Sequence, residues 1–163
     1  MPSPRKSEKL RLACVSWAGT VFAASLFGFA PAPAAAETIT LHGMCITVVI
    51  AGKPARGTCD GKLAILRDNK DRSAFMFTFV DGTFLAFEGA SSKAAQVNGA
   101  LTQPVIDVVN LNLGSNVPVK NSISGSCDFG DGRVVKVTCF GASAAGDFKV
   151  VFVSDGLPLE IVK

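Results

Sequence analysis

Odd and even positions separate along AFMFTFV (74–80): phenylalanine stands at 75, 77 and 79, and Met76, Thr78 and Val80 alternate with it. A period of two with aromatic residues on one side is the pattern of a β-strand that buries a face. Asp81-Gly82 follows, and then a second alternating run, TFLAF (83–87). An Asp-Gly pair between two such runs predicts a hairpin with a type I′ turn, here flanked by Val80 and Thr83.

The same pattern recurs. CITVVIAG (45–52) and ARGTC (55–59) predict a hairpin around Gly52-Lys53-Pro54, and GKLAILR (61–67) predicts a strand ended by the polar DNKDR. VIDVVNLNL (105–113) sets Val109, Leu111 and Leu113 against Asn110 and Asn112, a half-exposed strand. RVVKVTCF (133–140), DFKVVFV (147–153) and LEIVK (159–163) complete the set. No dozen-residue window carries a helical stripe, and the best helical segment, SSKAAQV (91–97), has room for one turn on a connection. Roughly 8–11 short strands in one chain predict an all-β fold, a single antiparallel barrel or sandwich.

The first thirty-six residues follow other rules. Arg5, Lys6, Lys9 and Arg11 precede an uncharged run from Leu12 to Ala30, and Ala34 and Ala36 then form a small-x-small site. This is the layout of a secretory signal peptide, cleaved between Ala36 and Glu37. Arg5 is followed by Lys6 rather than a second arginine, which points to the general secretory route and a periplasmic or secreted product. The competing reading is a retained anchor, since the run is close to the roughly 20 residues that span a bilayer. Cys14 precedes the run, whereas a lipid-attachment cysteine would follow it. The expected domains are residues 1–36 and a single β domain at 37–163. Within the latter, two cysteine-bearing segments ending in Asp-Gly raise the prospect of degenerate halves, about 37–89 and 115–163.

Removing that segment changes the charge. The chain has 16 basic and 13 acidic residues, of which four basic and one acidic precede residue 37, so the remainder holds twelve of each. A neutral domain has no basic footprint for nucleic acid and no polybasic patch for a membrane once the leader is cleaved. Four cysteines remain: Cys45, Cys59, Cys127 and Cys139. An even number in an exported chain reads as disulfides. Three connectivities exist; the local one, Cys45–Cys59 with Cys127–Cys139, is expected, the first pair more firmly because Gly52 lies midway between its cysteines. If Asp131 centred a tight turn, Cys127 would face Val135, so Cys127–Cys139 needs a wider loop centred near Arg133, or else the cysteines pair across the halves. Zinc on His42, Cys45 and Cys59 is the weaker alternative, because only one short ligand spacing exists.

Catalytic chemistry finds few candidates. Asp128-Phe129-Gly130 lacks the other parts of a kinase, and Asp128 with Asp131 lacks the closing glutamate of a calcium loop. A nucleophile–base pair would have to be built on His42, and no G-x-S-x-G elbow supplies its serine. Asp60, Asp81, Asp131 and Asp155 each precede glycine and read as turn residues, while Glu88 and Asp107 have no identifiable partner. No cofactor is expected. Beyond residue 36 the chain has neither tyrosine nor tryptophan, the favoured anchors of interfaces. The nine phenylalanines there are expected to form the core, with a small apolar cavity as the alternative.

The leader, the four cysteines, GTCDGKL (57–63) and FTFVDG (77–82) resemble short exported bacterial proteins of uncharacterised function. The resemblance implies no activity. The sequence therefore leads to a non-enzymatic exported β domain that binds a protein or envelope component or has a structural role there. A second expectation is a small hydrolase inhibitor presenting the 52–57 loop, with Lys53, Pro54 and Arg56 as contacts; a third is an enzyme of unrecognised type. Sequencing of protein from its native host is expected to read Glu37 as the first residue, within a residue or two, and an intact Met1 on cytosolic material would contradict export.

Overall fold

The computed structural model describes residues 36–55, 58–68, 70–111 and 117–163. Nearly all of the predicted signal peptide lies outside that set; only Ala36, at its final position, is included. Among these residues eleven strands follow in chain order: β1 (Glu37–Ile50), β2 (Lys53–Pro54), β3 (Cys59–Arg67), β4 (Arg72–Phe79), β5 (Phe84–Ala90), β6 (Ala95–Val97), β7 (Ala100–Leu111), β8 (Val119–Phe129), β9 (Lys136–Ser143), β10 (Gly146–Ser154) and β11 (Glu160–Val162). The predicted all-β class and strand number hold. At 91–97 the chain makes only a 3-10 turn, Ser91–Lys93, before β6.

Eight strands build a closed antiparallel barrel: β1, β3, β4, β5, β7, β8, β9 and β10, each paired with its neighbour in that order, with β10 pairing back onto β1. The result is an up-and-down barrel, which leaves its wall strands no free edge. The remaining strands attach at its ends: β2 on β1, β6 on β7 and β11 on β1.

Period two sets what lies inside. Phe75, Phe77, Phe87, Phe148 and Phe152 are completely buried with Leu63, Leu85, Val105, Val108, Val137 and Val150. Phe77 sits edge-on to Phe87, ring centroids 6.2 Å apart, and 6.3 Å from Phe152. An eight-stranded barrel is just wide enough for side chains to fill it. Six of the nine phenylalanines after residue 36 are buried; Phe84 and Phe129 are half-buried, and Phe140 is exposed on the outer wall. Burying each such ring contributes about 1.5–3 kcal/mol.

Two expectations fail for one kind of reason, a local change in strand or turn geometry. On β7 the interior holds Val105, Val108 and Asn110, not the Val109–Leu111 face; Leu113 lies outside the described residues. The ladder to β5 shifts between Val105 and Asp107, leaving Ile106 bulged and 62% exposed. A single inserted residue reverses which side chains face in, and the period read from Val109 onward belongs to the wrong phase. The β4–β5 connection is also one residue longer than a type I′ hairpin. Phe79 and Thr83 close it, with Phe79 N–H donating to Thr83 O and Gly82 N–H donating to Phe79 O, both at 2.9 Å. Gly82 takes φ +80°, but Asp81 is not among the positive-φ residues. This is a type I turn followed by a left-handed glycine. Asp81 Oδ1 accepts from Thr83 N–H at 2.9 Å and Thr83 Oγ1 at 2.6 Å, so the carboxylate holds the loop.

Turns with both central residues at positive φ lie elsewhere. Ala51-Gly52 (φ +50° and +76°) joins β1 to β2, which puts the hairpin centre upstream of the predicted Gly52-Lys53-Pro54, with Lys53 and Pro54 already in β2. Asn98-Gly99 (φ +51° and +85°) joins β6 to β7. Asp60-Gly61 is not a turn: Gly61 (φ +86°) makes a bulge within β3, where the register shifts between Cys59 and Leu63.

Gly82→Val, at a φ that strains a β-branched side chain, is expected to destabilise the domain by about 1–3 kcal/mol. Asp81→Asn keeps the acceptor oxygen and should stay within about 0.5 kcal/mol of the parent protein. Thermal melts of both variants check this. A stable Asp81→Asn protein that loses binding would show that the carboxylate has a role beyond the turn.

Candidate functional site

Both disulfides form with the local connectivity: Cys45–Cys59 joins β1 to β3 and Cys127–Cys139 joins β8 to β9. The paired cysteines are not available as thiolates for zinc. Cys127 and Cys139 are opposite one another in the ladder, Cα atoms 4.0 Å apart. Gly130 N–H donates to Lys136 O at 2.9 Å, and counting alternate pairs back along the strands puts the two cysteines at a non-hydrogen-bonded position, where Cα atoms approach closest. The connection is the wider loop of residues 130–135, centred near Arg133. Each cross-link closes a short loop, 14 and 12 residues in separation, worth about 3 kcal/mol in the chain-entropy picture.

The other predicted positions are dispersed. Lys53 and Pro54 are exposed on β2, and Arg56 lies outside the described residues. Ala36 is exposed just before β1, and Glu37 begins that strand. His42 Nε2 lies 3.2 Å from Glu160 Oε1 on the outer wall, with no nucleophile among its described partners. Asp60 and Asp155 accept the N–H two residues on, from Lys62 and Leu157, each at 3.0 Å. Asp71, which the sequence did not single out, ties the β3–β4 turn to the 3-10 turn. It accepts from Ser91 Oγ at 2.7 Å, Ser92 N–H at 2.6 Å and the Ser92 hydroxyl. The hydroxyls of Ser92 and then Ser91 hold its carboxyl below the ordinary range.

Glu88 and Asp107 do have partners. They stand opposite each other across β5 and β7 on the outer wall. Lys120 of β8 reaches both, 2.8 Å from Glu88 Oε2 and 3.0 Å from Asp107 Oδ2. Arg72 of β4 lies 3.4 Å from the same Glu88 oxygen, and Ser122 Oγ donates to Asp107 Oδ1 at 3.1 Å. Four adjacent wall strands are thus laced by two cations and two carboxylates. The hydrogen bonds to Glu88 and then Asp107 raise the Lys120 pKa, so the amine stays protonated at neutral pH. A protonated amine is no nucleophile, and the two facing carboxylates share the Lys120 cation between them. The arrangement suits a clamp better than proton transfer. Shallow grooves lie on either side of it, one against Leu66, Arg67 and Ala74, the other against Ala90 and Ile106.

One feature is unlike the rest of the wall. β11 pairs along Thr38–Thr40 of β1 on one side and, among the described residues, with no other strand of the sheet. Leu157, Leu159, Ile161 and Val162, on and beside it, are exposed. The sequence identified LEIVK as a strand, but edge status depends on which strands end before it, and local periodicity does not carry that.

No family model, no curated protein and no solved structure matches this chain. Among the described residues, no three His, Cys, Asp or Glu side chains gather as metal ligands, and no helix is long and apolar enough to cross a membrane.

Lys120→Met should lower stability by on the order of 1 kcal/mol, as expected for exposed ion pairs. The sign of the pH dependence follows from the raised pKa. The lysine's contribution is complete below its ordinary 10.5 and is lost as pH rises through the higher folded value. Melts from neutral to strongly alkaline pH should show a steeper loss for the parent protein than for Lys120→Met. Parallel curves would refute the clamp.

Proposed function

We propose that this protein is an exported, non-enzymatic binding domain that takes an extended polypeptide segment along the free edge of β11. The observation that carries this reading is the edge itself, a strand paired on one side and flanked by exposed Leu157, Leu159, Ile161 and Val162. An open edge offers a row of backbone donors and acceptors, and an added strand satisfies them while alternate side chains supply selectivity. Two disulfides support an oxidising, extracytoplasmic setting, as does the signal-like start of the sequence. The filled interior supports recognition on the surface.

The hydrolase-inhibitor reading keeps one specific support. Ala51-Gly52 fixes the β1–β2 turn and presents exposed Lys53 and Pro54, as a rigid inhibitory loop requires.

A photo-crosslinking residue at Ile161, and separately at Lys53, distinguishes the two in an envelope extract. The edge reading expects adducts to a partner's extended segment from position 161, abolished by Leu159→Lys with unchanged melting temperature. Adducts from position 53 to a hydrolase would favour the inhibitor. Adducts only to a second copy of this chain, or none at either site, would overturn the edge reading.

A further inference from the structure

The two disulfides differ in surroundings in a way their spacing does not reveal. Cys127 and Cys139 are both 0% exposed, in the middle of an unbroken antiparallel ladder between β8 and β9. Cys45 and Cys59 are only partly buried, and they stand where the β1–β3 ladder has already stopped, at His42 and Lys62. Both of their strands are irregular there. β1 shifts register against β10 between Cys45 and Thr47, and β3 shifts against β4 between Cys59 and Leu63. Met44, Ile46 and Asp60 beside the cross-link are exposed. Behind it lie two core rings: Phe152 is the ladder partner of Cys45, and Phe79 is the ladder partner of Cys59.

We infer that Cys45–Cys59 is a reducible latch on the β1–β3 seam, while Cys127–Cys139 is a permanent staple. The reductant is a dithiol. One of its thiolates attacks a sulfur of the Cys45–Cys59 bond, giving a mixed disulfide and releasing the other cysteine as a thiolate. The second thiol of the reductant, as thiolate, then displaces the remaining cysteine. The protein disulfide gains two electrons and two protons, and the dithiol leaves as a cyclic disulfide. Such exchange needs approach to the sulfur under attack, which a fully buried bond inside a ladder denies. Once the latch is open, β1 remains paired with β10 and β3 with β4, so the barrel keeps its strands. The seam between them loses its covalent tie and admits solvent or an apolar ligand to Phe79 and Phe152.

The test is graded reduction of the folded protein with dithiothreitol, quenched by alkylation and mapped by peptide mass. The expected result is that Cys45 and Cys59 are alkylated about tenfold or more faster than Cys127 and Cys139, because exchange requires access to the sulfur under attack. The singly reduced species should keep its β circular dichroism, bind more of an apolar dye, and exchange amides faster at residues 43–48 and 58–61 than elsewhere in the wall. A Cys45→Ala/Cys59→Ala protein should show the same dye binding without reductant, and a Cys127→Ala/Cys139→Ala protein should not. Simultaneous loss of both disulfides, earlier loss of Cys127–Cys139, or global unfolding on reduction of the first would each overturn the latch. So would a singly reduced protein whose seam amides and dye binding match those of the oxidised form.

Discussion

Everything in this barrel hangs on β1, which must satisfy four partners along one strand. Its first half pairs with β3 on one side and, over Thr38–Thr40, with β11 on the other; its second half pairs with β10, and its last residues with β2. The change of partner takes place at Gly43, opposite Ser154. A Cβ at that glycine would lie 2.1 Å from Val153 O, so closure of the barrel requires a residue without one. The bulge between Cys45 and Thr47 then shifts the strand by one residue against β10, which brings Val48 and Ile50, rather than Thr47 and Val49, to the core.

A barrel closed in this way and filled with phenylalanine keeps its wall strands paired on both sides and its interior packed. What remains exposed is the outer wall, the loops and the few attached strands. The Arg72–Glu88–Lys120–Asp107 lattice occupies one stretch of wall and is internally compensated in charge. β2 is held against β1 by a fixed turn. β11 extends the sheet past the point where β9 begins, and among the described residues no strand pairs with its other side.

The sequence was most informative where one residue type served one local purpose. Alternating phenylalanines marked β4 and its buried face, and an even number of cysteines after a signal-like start marked the cross-links. It was least informative where a single residue shifts a register. The bulge at Ile106 leaves no compositional trace, yet it turns Asn110 inward and Val109 outward. Asp-Gly marked positive φ at glycine in all four places but not its setting, since Gly61 lies in a bulge and Gly82 ends a three-residue loop. The Asn98-Gly99 hairpin carries the same turn chemistry, but SSKAAQV just before it has a helix-like composition that hides the short strand β6. Glu88 and Asp107 are nineteen residues apart, and only the β5–β7 register makes them neighbours.

Up-and-down connectivity also divides the pairings by range. Seven of the eight seams join consecutive wall strands, and both disulfides lie on such seams. The eighth joins residues 43–49 to residues 149–154, nearly the whole length of the domain apart. Loop-closure entropy makes that contact the slow one to form. The cross-links shorten that search only a little, because each bypasses a short loop, 14 and 12 residues in separation, and neither bridges the two ends. Without the β10–β1 seam the wall would be a curled sheet with two open edges. Its most vulnerable interval before folding is complete is therefore set by topology rather than by the strength of any one contact.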